Sequence, residues 1–187
     1  MTNPPSSAVA PERIASDVAY QGRFLTVRVD TFRRDDGMEV TRELVAHQGS
    51  VGVVCHDDYC VYLVRQPREV VGEPALLEIP AGVLDKPGEN PLDAAKRELA
   101  EEIGKQAATW TPLRTIYNSP GCMEQREHLF LATDLTDVPV APDAEERIEI
   151  FAWPLIYLDQ MIDHVTDAKT LTGLLMLARI RAGVQAS

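Results

Sequence analysis

The first patterned part of the chain predicts two antiparallel hairpins. Residues 24–32 alternate between apolar and polar side chains, and residues 39–47 return alongside them around Asp35, Asp36 and Gly37. Residues 52–55 and 60–66 form a second pair around the turn 56–59, and this pair is more apolar. Apolar strands of this kind are typical of the middle of a sheet. We therefore predict an N-terminal hairpin followed by a central one.

The remaining pattern predicts more strands and two C-terminal helices. Strands are expected at residues 76–79, 110–117, 128–132 and 148–153, and helices at residues 155–164 and 167–182. In the last helix Asp167 is the expected N-cap, and one side carries Leu171, Leu174, Leu175 and Ala178. With a further helix between the two groups of strands, this order predicts an α+β sandwich.

That further helix follows residue 90 and has clear signals at both ends. Asn90 is a good N-cap, Pro91 suits the first helical position, and Gly104 can take the left-handed conformation after the last turn. An apolar stripe at helical spacing consists of Leu92, Ala95, Leu99 and Ile103. We predict a helix of roughly fourteen residues that packs through this stripe.

The opposite face of this helix is acidic. Three carboxylates fall within five residues: Glu98, Glu101 and Glu102. Such a run is most often a solvated surface, because like charges one turn apart repel each other. Here the segment that precedes the helix, from Ala81 to Glu89, favours a second interpretation, in which the acidic face binds a metal ion. Carboxylates and a loop carbonyl are oxygen ligands that a hard divalent cation prefers, and Arg97 is placed to pair with Glu89 and hold the loop.

The stretch from Glu78 to Gly104 resembles the Nudix box, G-x5-E-x7-R-E-U-x-E-E-x-G-U with U aliphatic. The matching residues are Gly82, Glu89, Arg97, Glu98, Leu99, Glu101, Glu102 and Gly104. Two positions depart from the pattern, because six residues instead of five separate Gly82 from Glu89 and because Lys105 replaces an aliphatic residue. The extra residue falls in the turn 86–88, where added loop length costs little. Neither departure touches the acidic face.

The resemblance extends over nearly the whole chain and indicates the ADP-ribose pyrophosphatase subgroup. Similar segments are residues 20–24, 41–43, 64–66, 78–82, 119–121, 129–132 and 167–170. The resemblance implies a Nudix α/β/α sandwich preceded by a small N-terminal antiparallel β-sheet. In that subgroup the sheet crosses to a second subunit, so a homodimer is implied. We expect a disordered lead at 1–13, dimer-forming strands at 14–48 and the Nudix domain at 49–187.

The subgroup resemblance also implies an activity and a set of site residues. It implies that ADP-ribose and water give AMP and ribose 5-phosphate with Mg²⁺ or Mn²⁺. The implied metal ligands are the Ala81 carbonyl, Glu98, Glu101 and Glu102, of which Glu98 and Glu102 are also counted as catalytic. The implied substrate contacts are Phe24 (to adenine), Arg42, Arg68, Glu78 and Pro120. Surface roles stay open for the phenylalanine and for the two arginines.

A general base is expected outside the box. Glutamates bound to Mg²⁺ have committed lone pairs and a lowered pKa, so they accept protons poorly. The acidic loop 142–147 matches the place where the resemblance implies a catalytic glutamate, either Glu145 or Glu146. A plain acidic surface loop is the alternative. The subgroup usually has a glutamate where this chain has Gln125, with Glu124 and Glu127 nearby, and this change indicates either another substrate or altered surroundings.

Composition limits the partners and the compartment. The net charge of −11 argues against nucleic acid and anionic membranes, which need basic surfaces. Three cysteines (Cys55, Cys60 and Cys122) provide no disulfide framework and predict reduced thiols in a cytoplasmic protein. Two alternatives remain open: a hydrolase of another nucleotide sugar or dinucleotide, such as GDP-mannose, and a domain that senses ADP-ribose without cleaving it. Because sensors usually lose box carboxylates and this chain retains them, we favour the hydrolase.

Overall fold

The computed structural model describes residues 9–23, 25–86, 88–139 and 147–184. The chain forms two compact units. The first contains the described residues up to Gln48 together with Tyr117–Arg126. The second contains Gly49–Ile116 and the described residues from Glu127 onward.

The first unit is a three-stranded antiparallel sheet. Its strands are β1 (Glu12–Gln21), β2 (Thr26–Arg33) and β3 (Glu39–Ala46), in the spatial order β1-β2-β3. The predicted hairpin of β2 and β3 is confirmed, with Gly37 at a φ of 83° in its turn. Strand β1 lies largely within the segment 14–48 in which strands were expected, but the pattern did not mark it individually, because nine of its ten residues are exposed. It begins at Glu12, within the last residues of the segment 1–13 that was expected to form a lead.

The second unit contains a seven-stranded mixed sheet. Its strands are β4 (Ser50–His56), β5 (Cys60–Arg68), β6 (Glu73–Glu78), β7 (Ala81–Val83), β8 (Lys105–Tyr117), β9 (Arg126–Asp137) and β10 (Glu149–Pro154). The spatial order is β10-β5-β4-β9-β8, with β6 beside β5 and β7 beside β4. The β4–β9 pair is parallel, whereas β4 pairs with β5 and β7 in the antiparallel sense.

Helices cover both faces of this larger sheet. They are α1 (Pro91–Ile103), α2 (Leu158–His164) and α3 (Ala168–Arg181), with short 3-10 helices at Glu69–Val71 and Leu155–Tyr157. Side chains of β4 alternate between two buried clusters, so Val53 packs towards α1 and Val54 towards α3. Because β4 is buried on both faces, it is a continuous apolar run. The α+β sandwich with a separate N-terminal antiparallel sheet is therefore confirmed.

Helix α1 has the predicted ends. The Asn90 side chain accepts a hydrogen bond from the Asp93 N–H at 3.0 Å, and Gly104 has a φ of 62°. Lys105 lies beyond this glycine and pairs with Asp137, so the departure from the box pattern is away from the acidic face.

Two predictions for the C-terminal helices need correction. The segment 155–164 begins as a 3-10 turn and becomes α-helical only from Leu158. In α3, Leu175 is 46% exposed, whereas Leu174 and Leu177 are fully buried. The predicted side of α3 was thus wrong at Leu175, because the helix packs into the sheet along a narrower stripe. The Asp167 cap is confirmed, since its carboxylate accepts from the Thr170 N–H at 3.0 Å.

Candidate active site

The acidic face of α1 is largely buried. Glu98 is 9% exposed and Glu102 is 8% exposed, while Glu101 lies on the outer side of the same helix. Leu99 and Ile103 anchor the helix against the sheet, and this packing orients the neighbouring carboxylates toward strand β7. Burial of ionised carboxylates is costly unless they are paired, so these side chains need specific partners.

Strand β7 supplies a hydrogen-bond donor for Glu102 and space for the Glu98 side chain. The Ala81 N–H donates to Glu102 Oε2 at 3.1 Å, which joins two of the predicted metal ligands. At Gly82 a Cβ atom would lie only 1.9 Å from Glu98 Oε1. The φ of Gly82 is not positive, so this position needs glycine for space and not for backbone conformation. The missing side chain at the first glycine of the box therefore leaves the space that the Glu98 carboxylate occupies.

Arg97 connects the loop to the acidic face, as predicted. Its Nε and Nη2 atoms donate to the two carboxylate oxygens of Glu89 at 3.2 and 3.1 Å. Its Nη1 atom donates to Glu98 Oε1 at 2.6 Å and to Glu101 Oε2 at 3.0 Å. The hydrogen bonds with Glu89 raise the pKa of Arg97 and lower the pKa of Glu89. The guanidinium therefore places positive charge between two predicted metal ligands.

These groups line a cavity of about 590 Å³ in the second unit. Its charged lining consists of four carboxylates (Asp85, Glu98, Glu101 and Glu102) and two guanidinium groups (Arg68 and Arg97). Among the described residues, no three acidic, histidine or cysteine side chains form a ready-made metal cluster. The donor set nevertheless fits a hard cation, because carboxylate oxygens are in excess and Arg97 Nη1 already supplies positive charge between two of them.

Arg68 and Glu78 form a bidentate ion pair beside this cavity. Arg68 Nε donates to Glu78 Oε1 at 2.6 Å, and Arg68 Nη2 donates to Glu78 Oε2 at 2.9 Å. Lys169 Nζ donates to Oε2 of the same carboxylate at 2.5 Å. Burial works against the ionised form of Glu78, but Arg68 and Lys169 outweigh it and leave its pKa below the usual value. Lys169 was not predicted as a site residue, although the segment 167–170 is one of those that resemble the subgroup.

Arg42 and Pro120 are brought together in the first unit. Both line a cavity of about 560 Å³ formed by the three-stranded sheet and the segment 117–126. The Val45 N–H donates to the Cys122 carbonyl at 2.8 Å, which attaches this segment to β3. Arg42 donates to the Thr41 carbonyl and has no carboxylate within ion-pair distance in the described part of the chain. Its guanidinium is thus available to an anion.

The region around Gln125 shows where the neighbouring glutamates are. Glu124 accepts two hydrogen bonds from Arg28, at 3.1 and 2.9 Å. Arg28 also donates to Asp30, which is fully buried. Glu127 is buried as well, at 2% exposure. Phe24, Glu145 and Glu146 lie outside the described residues.

The chain belongs to the Nudix family, since the NUDIX domain model matches residues 46–171. This confirms the family expected from the box and the class of enzyme, a Nudix pyrophosphohydrolase. The chain is 33% identical over 177 residues to the ADP-ribose pyrophosphatase of Mycobacterium tuberculosis (strain ATCC 25618 / H37Rv), covering 92% of this chain and 85% of that protein. It is also 33% identical over 162 residues to the ADP-ribose pyrophosphatase of Bacillus subtilis (strain 168), covering 84% and 86%. The expected subgroup resemblance is thereby confirmed.

A solved structure supports the same fold. The crystal structure of an ADP compounds hydrolase superposes with a TM-score of 0.81 at 24% identity, covering 95% of this chain and 97% of that one. Within the described residues, no helix is both long enough and apolar enough to cross a membrane.

Proposed function

We propose that this protein hydrolyses the diphosphate of ADP-ribose to AMP and ribose 5-phosphate, with Mg²⁺ or Mn²⁺ as cofactor. The observation that carries the proposal is the buried pair Glu98 and Glu102, held against Gly82 and the Ala81 N–H in a cavity with excess carboxylate charge. The two relatives that are 33% identical support ADP-ribose as the substrate.

Some residues of the cavity are proposed to bind the cation, and others are proposed to bind the substrate. Glu98, Glu101, Glu102 and the Ala81 carbonyl would hold the cation. When bound, such an ion neutralises charge that develops on diphosphate oxygens and makes water more acidic. With a cation held there, Arg97 would still have its two bonds to Glu89, and these would keep the loop attached. Arg68, whose orientation is set by Glu78, would contact a phosphate of the substrate.

The general base is proposed to be Glu145 or Glu146. A carboxylate outside the metal-binding face retains free lone pairs with which it can accept a proton. We expect one of Glu145→Gln and Glu146→Gln to lower kcat at least about a hundredfold, the usual range for loss of a general base. Affinity for substrate and Mg²⁺ should stay within a few-fold. Wild-type turnover in both single variants and in the double variant would move the base elsewhere, with Glu101 or Glu124 next.

Arg42 and Pro120 are proposed to contact the substrate, as is Phe24. The support is their subgroup resemblance together with the cavity that Arg42 and Pro120 line in the first unit. The Arg42 guanidinium has no carboxylate within ion-pair distance in the described part of the chain, which suits contact with a phosphate or with the hydroxyl groups of a ribose.

We also retain the prediction of a cytoplasmic homodimer. Strand β1 is an edge of the first sheet and exposes Val18 and Tyr20 at 61% and 59%. A long exposed edge strand with apolar side chains favours pairing with another chain. We expect Val18→Lys to shift the protein toward monomer in light scattering at micromolar concentration, whereas wild-type protein that is monomeric and fully active would contradict the assembly. Free thiols at all three cysteines agree with a reducing compartment.

A panel of nucleoside diphosphate compounds with Mg²⁺ tests the substrate. The compounds are ADP-ribose, GDP-mannose, other nucleotide sugars and dinucleotides, and the products are identified by mass. We expect the highest kcat/KM for ADP-ribose, with AMP and ribose 5-phosphate in equal amounts. A higher kcat/KM for another compound would replace the substrate, and tight binding of ADP-ribose without products would indicate a sensor.

A further inference from the structure

The first turn of α3 is attached to the segment before the Nudix box through two separate links. The first link contains no cation: Thr170 Oγ1 donates to the Asp167 carboxylate and accepts from the Ile79 N–H at 2.8 Å. The charged link is Lys169, which donates to Asp167 at 3.0 Å and to Glu78. Thr170 is fully buried, and the Lys169 side chain is only 13% exposed. Capping of α3 requires only the contacts between Asp167 and Thr170, so the contact of Lys169 with Glu78 is not explained by the cap.

The charged link continues to the wall of the acidic cavity. Glu78 is 1% exposed, and each of its oxygens accepts from Arg68, while Oε2 also accepts from Lys169. The two bonds from Arg68 use Nε and Nη2, so Nη1 has no carboxylate partner among the residues described. Arg68 lines the acidic cavity on one side and a smaller cavity that includes Lys169 on the other. The plane of the Glu78 carboxylate therefore determines where the guanidinium points.

From this arrangement, which rests on the proposed function, we propose that Lys169 is a positioning residue for the hydrolysis: it fixes the Glu78 carboxylate, and this carboxylate orients Arg68 toward the substrate phosphate. Glu78, Asp167, Arg68 and Lys169 together are electrically neutral. Without Lys169 the buried carboxylate of Glu78 keeps only Arg68 as a charged partner, and Asp167 loses its cation. Because neither carboxylate is well solvated, both side chains should rearrange.

A double-mutant cycle between Lys169 and Arg68 tests this role. We expect Lys169→Met to lower kcat/KM for the best substrate of the wild-type protein by about tenfold or more, as for residues coupled in one ion-pair network. In the Arg68→Ala background the same change should lower kcat/KM by less than about twofold, because no guanidinium remains to be positioned. Lys169→Arg should recover part of the loss. Equal effects in both backgrounds, or no effect in either, would overturn the proposal.

Lys105→Met is the matched control. The Lys105 side chain is 17% exposed and pairs with Asp137, so its removal also deletes a largely buried ammonium group. We expect a lower thermal midpoint from this change, a kcat/KM within about twofold of wild type, and additivity with Arg68→Ala. If Lys169→Met does not fold, Lys169→Gln replaces it in every arm, since glutamine retains a hydrogen-bond donor without the charge.

A second readout needs no substrate. In ¹⁵N NMR spectra of the free protein, the Arg68 Nε–H should exchange slowly with water in wild type and in Lys105→Met, because it donates to a buried carboxylate. In Lys169→Met this protection should be lost. Unchanged protection would refute the positioning role, whichever compound the enzyme cleaves. If the wild-type protein cleaves no compound, the proposed function fails, but the NMR comparison still decides whether Lys169 holds the Arg68 guanidinium on Glu78.

Discussion

Replacement of Gly82 by alanine adds one methyl group at the most crowded point of the candidate site. The new Cβ would lie 1.9 Å from Glu98 Oε1, 2.1 Å from Glu98 Cδ and 2.7 Å from Glu98 Oε2. The Gly82 backbone lies outside the left-handed region, so alanine can adopt it without strain. The substitution therefore acts through the Glu98 carboxylate and not through the chain conformation.

The required displacement can be estimated from these distances. Ordinary van der Waals contact begins near 3.4 Å, so the Glu98 carboxylate must retreat by about 1.5 Å. Overpacking of this kind costs typically about 1–3 kcal/mol of unfolding free energy. A shift of about 1 Å in a reacting group lowers turnover by about a hundredfold. We expect Gly82→Ala to fold, to lose stability in that range, and to lose at least that factor in kcat.

Gly37→Ala is the control for a stability loss without a change at the site. Gly37 has a φ of 83°, and a Cβ atom added there would have no neighbouring atom within 4 Å, so alanine strains the backbone but meets nothing. That strain is worth about 1–2 kcal/mol. Urea unfolding gives the free energy of each variant, and product formation with saturating Mg²⁺ gives kcat. If the two variants lose kcat equally at equal stability, or if Gly82→Ala keeps wild-type turnover, the assigned role of Glu98 is wrong.

Further predictions concern the carboxylates themselves. Glu98→Gln and Glu102→Gln should each lower kcat by orders of magnitude, because each removes a carboxylate ligand of the cation. The thermal midpoints should stay close to wild type, because amide oxygens can still accept the bonds from Arg97 and the Ala81 N–H. Near-normal turnover in either variant would contradict the metal assignment. The folded-state pKa of Glu78 lies below its usual value of 4.5, so the stability it contributes is present above pH 4.5 and is lost as the pH falls through the lowered pKa. The difference in unfolding free energy between wild type and Glu78→Gln should therefore shrink on acidification, and a difference independent of pH would show that the ionised form is not favoured in the fold.

The sequence by itself determined the parts of the site that depend on near neighbours. Helix α1 could be predicted because Asn90 and Gly104 act within one turn of the helix ends, and because Leu99 and Ile103 repeat at its period. The Arg97–Glu89 pair was predictable for the same reason, since the loop between them is short and the charges are opposite. The Nudix box therefore contained its own local evidence of structure and chemistry.

The tertiary structure decided the contacts that join distant segments. Glu78 and Lys169 are 91 positions apart, and only the packing of α3 against the sheet brings them into contact. The motif marked Gly82 as a fixed position, but the reason, a recess for Glu98, depends on how closely β7 approaches α1. Strand β1 gave no signal because nearly all of its side chains are exposed, and its place beside β2 comes from backbone pairing and from polar contacts such as the hydrogen bond from Ser16 to Asp30. Hydrophobic periodicity predicts which face of a helix or strand is buried. It predicts nothing where no face is buried, and it does not identify contacts between residues that are distant in sequence.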